Sequence, residues 1–124
     1  MALILIADDN IAIASVLKDY LTSRGHQVAT VHDGMSVSLK AQEIHPHLII
    51  MDIQMPGTYG TTAYKTLEAA GVAQRTPVIF VTSVILEKAR MIVPETPLTR
   101  LMGKPIDLAR LEATIAELTA ARPA

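Results

Sequence analysis

The chemistry this sequence can offer lies in three aspartates, a threonine and a lysine, each set just past an apolar run. Asp8 and Asp9 follow LILIA (3–7), Asp52 follows LIIM (48–51), Thr82 follows PVIFV (77–81), and Lys104 with Pro105 comes after LTRLM (98–102). Carboxylates gathered in one place repel one another unless a cation neutralises them, and an all-oxygen donor set suits a hard ion such as Mg²⁺. A carboxylate is also a nucleophile toward phosphorus, giving an aspartyl phosphate. Such a transfer asks mainly for positioning and for charge stabilisation around the phosphoryl oxygens. Mg²⁺ would supply one clamp, the Lys104 ammonium a second, and the Thr82 hydroxyl a hydrogen bond. Asp8 and Asp9 are adjacent and suit metal binding. Asp52 stands alone and is the better nucleophile.

Those residues meet only if the apolar runs are neighbouring strands. LILIA, LIIM and PVIFV are short and continuously apolar, as expected of strands buried on both faces of a parallel sheet. QVATV (27–31) alternates and reads as a half-covered strand, and LTRLM is the weakest of the five. Helical segments separate them. Residues 11–25 place Ile13, Val16, Leu17, Tyr20 and Leu21 on one stripe and end at Gly25. Residues 35–45 and 61–71 follow. The last segment, 107–121, opens on Asp107 as N-cap and repeats Leu108, Leu111, Ile115 and Leu118. Strand and helix alternating five times predicts a doubly wound α/β fold with a parallel sheet. In such sheets ligands bind beyond the carboxyl ends of the strands, where the five reactive residues lie.

Composition narrows the function classes. The chain has 124 residues, enough for one domain with one core, and 3% aromatic content makes that core aliphatic. A net charge of −1 with scattered signs leaves no basic face for nucleic acid and no polybasic membrane stretch. The absence of cysteine removes disulfides, thiol catalysis and thiolate metal sites, and fits a cytoplasmic location. No apolar run reaches the length that spans a bilayer, and MALILIADDN carries acids too early for a secretory signal.

Taken in order, these residues resemble the receiver domain of bacterial two-component response regulators, in a stand-alone form similar to the chemotaxis regulator. The resemblance covers essentially the whole chain, residues 1–124, as a single receiver domain with no output domain. It rests on the acidic pair Asp8-Asp9, on Asp52, Met55, Pro56 and Gly60 in the pattern D-x-x-M-P-x-x-x-G, on Thr82, and on Lys104-Pro105. It implies a flavodoxin-like five-stranded sheet with strand order 2-1-3-4-5. It implies that Asp52 is the phosphoacceptor, taking its phosphoryl group from a sensor histidine kinase or a histidine phosphotransfer protein, with Thr82 and Lys104 assisting. Mg²⁺ would be held directly by Asp9 and Asp52 and by the main-chain carbonyl of Gln54, with Asp8 acting mainly through water. The output would be a change in the 84–103 face that a downstream protein reads, with no nucleic acid or membrane involved.

Two features depart from the family. Leu101 stands where an aromatic ring is usual, and Pro94 and Pro97 fall where the fourth helix would continue. Proline inside a helix costs about 3 kcal/mol. The helix after Ser83 is therefore expected to stop near Val93, with an irregular stretch to about Leu98 and a response carried by local ordering of residues 84–100. Gln54 and Val84 occupy positions that influence hydrolysis in the family.

Plainer readings and other classes compete. An acidic pair can be a helix N-cap, Thr82 can cap the next helix, and Lys104 can be a surface lysine. His45 and His47 in HPH lack a third ligand and are expected to face solvent. Met35, Met51, Met55, Met91 and Met102 read as packing residues. A scaffold that binds partners without phosphorylation is the main alternative. An aspartate-nucleophile phosphatase is the enzymatic one, disfavoured because Gln54 stands where that class carries an acid. The protein is thus expected not to be an enzyme. No G-x-G-x-x-G follows any strand, which argues against dinucleotide binding.

Overall fold

The computed structural model describes residues 2–55, 60–83 and 86–120. Pro56 and Val84 lie outside the described residues. The strands are β1 (Leu3–Ala7), β2 (Gln27–Val31), β3 (Leu48–Asp52), β4 (Val78–Thr82) and β5 (Thr99–Gly103). Between and after them run α1 (Ile11–Ser23), α2 (Gly34–Ile44), α3 (Gly60–Ala69), α4 (Leu86–Arg90) and α5 (Leu108–Ala120). Every pairing is parallel, and the order is β2-β1-β3-β4-β5.

Alternation along the strands divides the core in two. Leu5, Ile49, Met51, Val78 and Phe80 face one side, with Val37 of α2 and Leu67 of α3. Ile4, Ile6, Leu48, Ile50, Ile79, Val81 and Met102 face the other, with Leu17 of α1 and Leu111 of α5. β1, β3 and β4 lie inside the sheet and are covered on both faces, which is why they read as unbroken apolar runs. β2 is an edge strand and is only partly buried along most of its length.

Side chains cap the helices where the sequence offers Asn or Asp. Asn10 accepts the Ile13 amide at 3.1 Å, Asp33 accepts the Ser36 amide at 2.9 Å, and Asp107 accepts the Arg110 amide at 3.1 Å. After α1 and α3 the chain turns through Gly25 (φ 93°) and Gly71 (φ 80°), a left-handed backbone that favours glycine.

α4 is the short helix that the prolines dictate. Its regular part ends at Arg90, and the amides of Ile92 and Val93 still bond back to Ala89 before the chain turns irregularly into β5. Three side chains depart from expectation. Met35 and Met91 are exposed, at 78% and 85%, and so is Val16 at 61%. Met35 sits in the first turn of α2, while that helix buries Gly34, Val37, Ser38 and Ala41. Met91 lies in the turn beyond α4, clear of the sheet. On α1 the buried stripe is Ala14, Leu17 and Leu21, too narrow to include Val16. Met51, Met55 and Met102 are core residues.

His45 and His47 are exposed, but His47 is engaged: its Nδ1 accepts the Leu3 amide at 2.9 Å. On the other side of β1, His26 Nδ1 accepts the Ala2 amide at 3.2 Å. A ring nitrogen that accepts cannot carry a proton. Burial holds the His26 pKa below its usual 6.5, with Glu112 working in the opposite direction. A histidine whose folded pKa is depressed adds stability above the unfolded value and loses it as pH falls. Denaturant melts should therefore show parent stability declining from pH 7.5 to pH 5.5 more steeply than that of His26→Gln. Parallel pH profiles would exclude this role for His26.

Candidate functional site

The same alternation that sorts the core also delivers the site. Ile4 and Ile6 face the α1/α5 side, and Asp8 comes next at that spacing; Leu48 and Ile50 lead to Asp52, and Met102 leads to Lys104. The side chains converge accordingly. Lys104 Nζ lies 2.8 Å from Asp52 Oδ2 and 3.3 Å from Asp8 Oδ2. Carboxylate oxygens of Asp8, Asp9 and Asp52 all fall within 4.8 Å of one another. Asp8 and Asp52 are buried, while Asp9 is exposed at the mouth. Thr82 is buried at the end of β4, on the strand face shared with Val78 and Phe80, and its carbonyl accepts the Lys104 amide at 2.7 Å. All five reactive residues meet at one rim of the sheet.

Backbone bonds fix the carboxylates. Asp52 Oδ1 accepts the Gln54 amide at 2.9 Å, which turns the chain directly after β3. Asp8 Oδ1 accepts the Asn10 amide at 2.9 Å, so the acidic pair leads into α1 while Asn10 does the capping. His32, a residue with no motif around it, places Nδ1 3.1 Å from the Asp8 carbonyl. The Lys104–Pro105 peptide is cis.

Electrostatics follow from this crowding. Burial raises the Asp8 pKa above its usual range, although the Asn10 amide and Lys104 pull it down, and Asp52 adds to the rise. For Lys104, burial works to lower the pKa, but the hydrogen bond and charge of Asp52, then Asp8, outweigh it and leave the ammonium more basic than usual. Lys104 is thus a fixed cation between two acids. Its stem borders an apolar groove of about 380 Å³ lined by Ile13, Val16, Leu17, Pro105 and Ile106.

The arrangement offers oxygen ligands for a hard cation, a carboxylate nucleophile, and an ammonium beside that nucleophile. No helix among the described residues is long and apolar enough to cross a membrane.

Known proteins resemble this chain in sequence and fold. The response regulator PleD of Caulobacter vibrioides is 30% identical over 118 residues, covering 95% of this chain and 26% of PleD, so the chain spans about a quarter of that relative. The polar-differentiation response regulator DivK of Brucella ovis is 28% identical over 112 residues, covering 90% of this chain and 91% of DivK. Among solved structures, the receiver domain of the sensor histidine kinase PA1611 from Pseudomonas aeruginosa has a magnesium ion coordinated in its active-site cleft. It superposes with a TM-score of 0.87 at 25% identity, over 97% of this chain and 98% of that one. The family model for the response regulator receiver domain matches residues 4–116, from the first strand to the last helix, so this chain belongs to the receiver domains of two-component systems.

Proposed function

We propose that Asp52 accepts a phosphoryl group from a phosphohistidine on a sensor kinase or phosphotransfer protein. A carboxylate oxygen of Asp52 attacks phosphorus and forms the O–P bond. The P–N bond breaks, and its electron pair leaves with the imidazole nitrogen, which is then protonated. The observation that carries this reading is the Lys104 ammonium 2.8 Å from Asp52 in a cluster of three acids, two of them buried. Lys104 would follow the charge onto the phosphoryl oxygens, and Thr82, whose carbonyl accepts the Lys104 amide, would supply a hydroxyl donor. The groove along α1 gives the donor protein an apolar seat next to the nucleophile.

The donor set fits Mg²⁺: three carboxylates with ligand atoms within 4.8 Å, no sulfur or imidazole among them, and Asp9 open to solvent. Asp8, Asp9, Asp52 and the Gln54 carbonyl would hold the ion. When bound it would neutralise the acids and stabilise charge on the phosphoryl oxygens. Mass measurement after treatment with a small phosphodonor and Mg²⁺ tests the reading. One acid-stable, base-labile phosphoryl group is expected per chain. An unchanged mass would favour the alternative of a scaffold that docks partners without phosphorylation.

Asp8 yields a further expectation. An acid whose folded pKa is raised adds stability below its unfolded value of 3.8, and that contribution is lost as pH rises through the folded pKa. At neutral pH its buried charge is therefore a cost. Asp8→Asn should raise stability by about 1 kcal/mol in chelator, where Lys104 is the counter-ion of Asp8 among the described residues. The same variant should lose most of the thermal shift that Mg²⁺ gives the parent. Melts in chelator and in Mg²⁺ check both halves, and a variant less stable than the parent in chelator contradicts the first.

A further inference from the structure

Tyr64 is a buried tyrosine on α3, the helix that follows the phosphoacceptor loop, and its position is tied to the site at one end and to a turn at the other. The ring is 2% exposed and packs against Phe80, with centroids 5.5 Å apart and planes tilted by 51°. Phe80 lies on β4 two residues before Thr82, on the same strand face, and pairs with Met51 on one side and Leu101 on the other. Thr82, Phe80 and Tyr64 therefore form a column that begins at the acidic site and runs down one face of the sheet.

The far end of the column is polar. Tyr64 and Thr96 line one cavity together with Pro97 and Leu98, which brings the tyrosine against the Thr96 side chain. Thr96 organises the irregular stretch before β5. Its hydroxyl accepts the Leu98 amide at 3.1 Å, and its own amide donates to Thr99 Oγ1 at 2.9 Å. Thr99 Oγ1 in turn donates to the Pro94 carbonyl at 2.8 Å. The two threonine hydroxyls thus hold the turn together with the Thr99 amide, which donates to the Thr96 carbonyl, and Tyr64 of α3 packs at its side. Met91 and Ile92, both exposed, stand at its entrance.

We propose that Tyr64 is the positioning residue that couples the state of Asp52 to the 94–99 turn, by way of Thr82 and Phe80. The inference rests on the phosphoacceptor reading. A phosphoryl group on Asp52 offers Thr82 a charged hydrogen-bond acceptor. A shift of Thr82 moves Phe80 along the same strand face, and close packing passes that movement to the Tyr64 ring rather than absorbing it. The Tyr64 ring then shifts against Thr96 in the cavity they share, and the turn holding Leu98 and Thr99 rearranges.

The test follows backbone amide signals of Thr96, Leu98 and Thr99 with and without phosphodonor and Mg²⁺, in the parent, Tyr64→Phe and Thr96→Val. The parent should show a phosphorylation-dependent shift at Leu98 and Thr96. Tyr64→Phe keeps the ring and the fold, so it should take up phosphoryl to the parent extent and melt within a few degrees of it. Its response at Leu98 and Thr96 should fall several-fold, and Thr96→Val should show the same loss. A Tyr64→Phe response equal to the parent's overturns the coupling, as does a parent that is phosphorylated but unmoved at Thr96–Thr99; both leave the phosphoacceptor reading intact. A parent that takes up no phosphoryl group overturns that reading, and the coupling with it.

Discussion

Asp52→Asn should abolish phosphoryl incorporation while leaving the protein close to parent stability. The amide has the shape of the carboxylate but no nucleophilic oxygen to form the O–P bond. Its carbonyl oxygen can still accept the Gln54 amide that Asp52 Oδ1 accepts at 2.9 Å. Lys104 keeps Asp8 at 3.3 Å, so the ammonium is not left unpaired, and Asp8 is freed from a like charge. The two changes oppose each other, and the net effect on folding should stay within about 1 kcal/mol. Intact mass after phosphodonor treatment and a melt of the same sample read both parts. Incorporation at the parent level would transfer the phosphoacceptor role to Asp8 or Asp9. A collapse of the melt would make Asp52 a structural residue first.

Much of this site was legible because position along a buried strand determines direction. Once LILIA, LIIM and PVIFV are taken as neighbouring parallel strands, the residue after each must lie on one rim. Even the face is fixed, since Asp8, Asp52 and Lys104 each continue the spacing of an isoleucine or methionine in the same half of the core. The shortness of α4 was legible for a different reason: proline removes a donor and clashes with the preceding turn wherever it falls. Helix faces were harder. A heptad-like stripe does not say how wide the covered strip is, and Val16 and Met35 fell outside it.

What the sequence could not disclose depends on contacts between distant segments. Nothing local marks His26 and His47 as acceptors for the Ala2 and Leu3 amides where the chain enters β1, because the partners lie far away in the chain. Tyr64 reads as one more residue on an amphipathic helix until the sheet brings Phe80 beneath its ring. The Thr96–Thr99 network is equally silent, since two threonines flanking Pro97 fit any loop. Leu101 was visible as a departure, yet only the fold shows it opposite Phe80 on the side of the sheet where Tyr64 packs. Composition and pattern thus brought the acids, Thr82 and Lys104 to one rim, whereas the packing between that rim and the 94–99 turn shows only in the fold.

Lys104→Met should damage both folding and transfer, and the two losses should separate. Methionine matches the length of the lysine stem, so packing along Pro105 and Ile106 is largely preserved. What disappears is the cation between two buried acids, whose side chains are 5% and 7% exposed. A lysine whose folded pKa is raised contributes stability that is fully present below its unfolded value of 10.5 and lost only as pH rises through the folded one. At neutral pH the whole contribution is therefore at stake. Removing one partner of a buried pair costs about 3 kcal/mol, which for a domain of this size lowers the melting temperature by on the order of 10 °C. Mg²⁺ should restore most of that loss, because a divalent ion can neutralise the same carboxylates. It should not restore the rate, which is expected to fall by about 10²–10³-fold, since a preorganised donor beside the transferred group is missing. Lys104→Arg keeps the charge but not the point-like ammonium, and should recover stability better than rate. Rates from phosphodonor time courses and melts with and without Mg²⁺ decide the matter. Transfer by Lys104→Met at close to the parent rate would remove Lys104 from the mechanism and leave it a structural counter-ion.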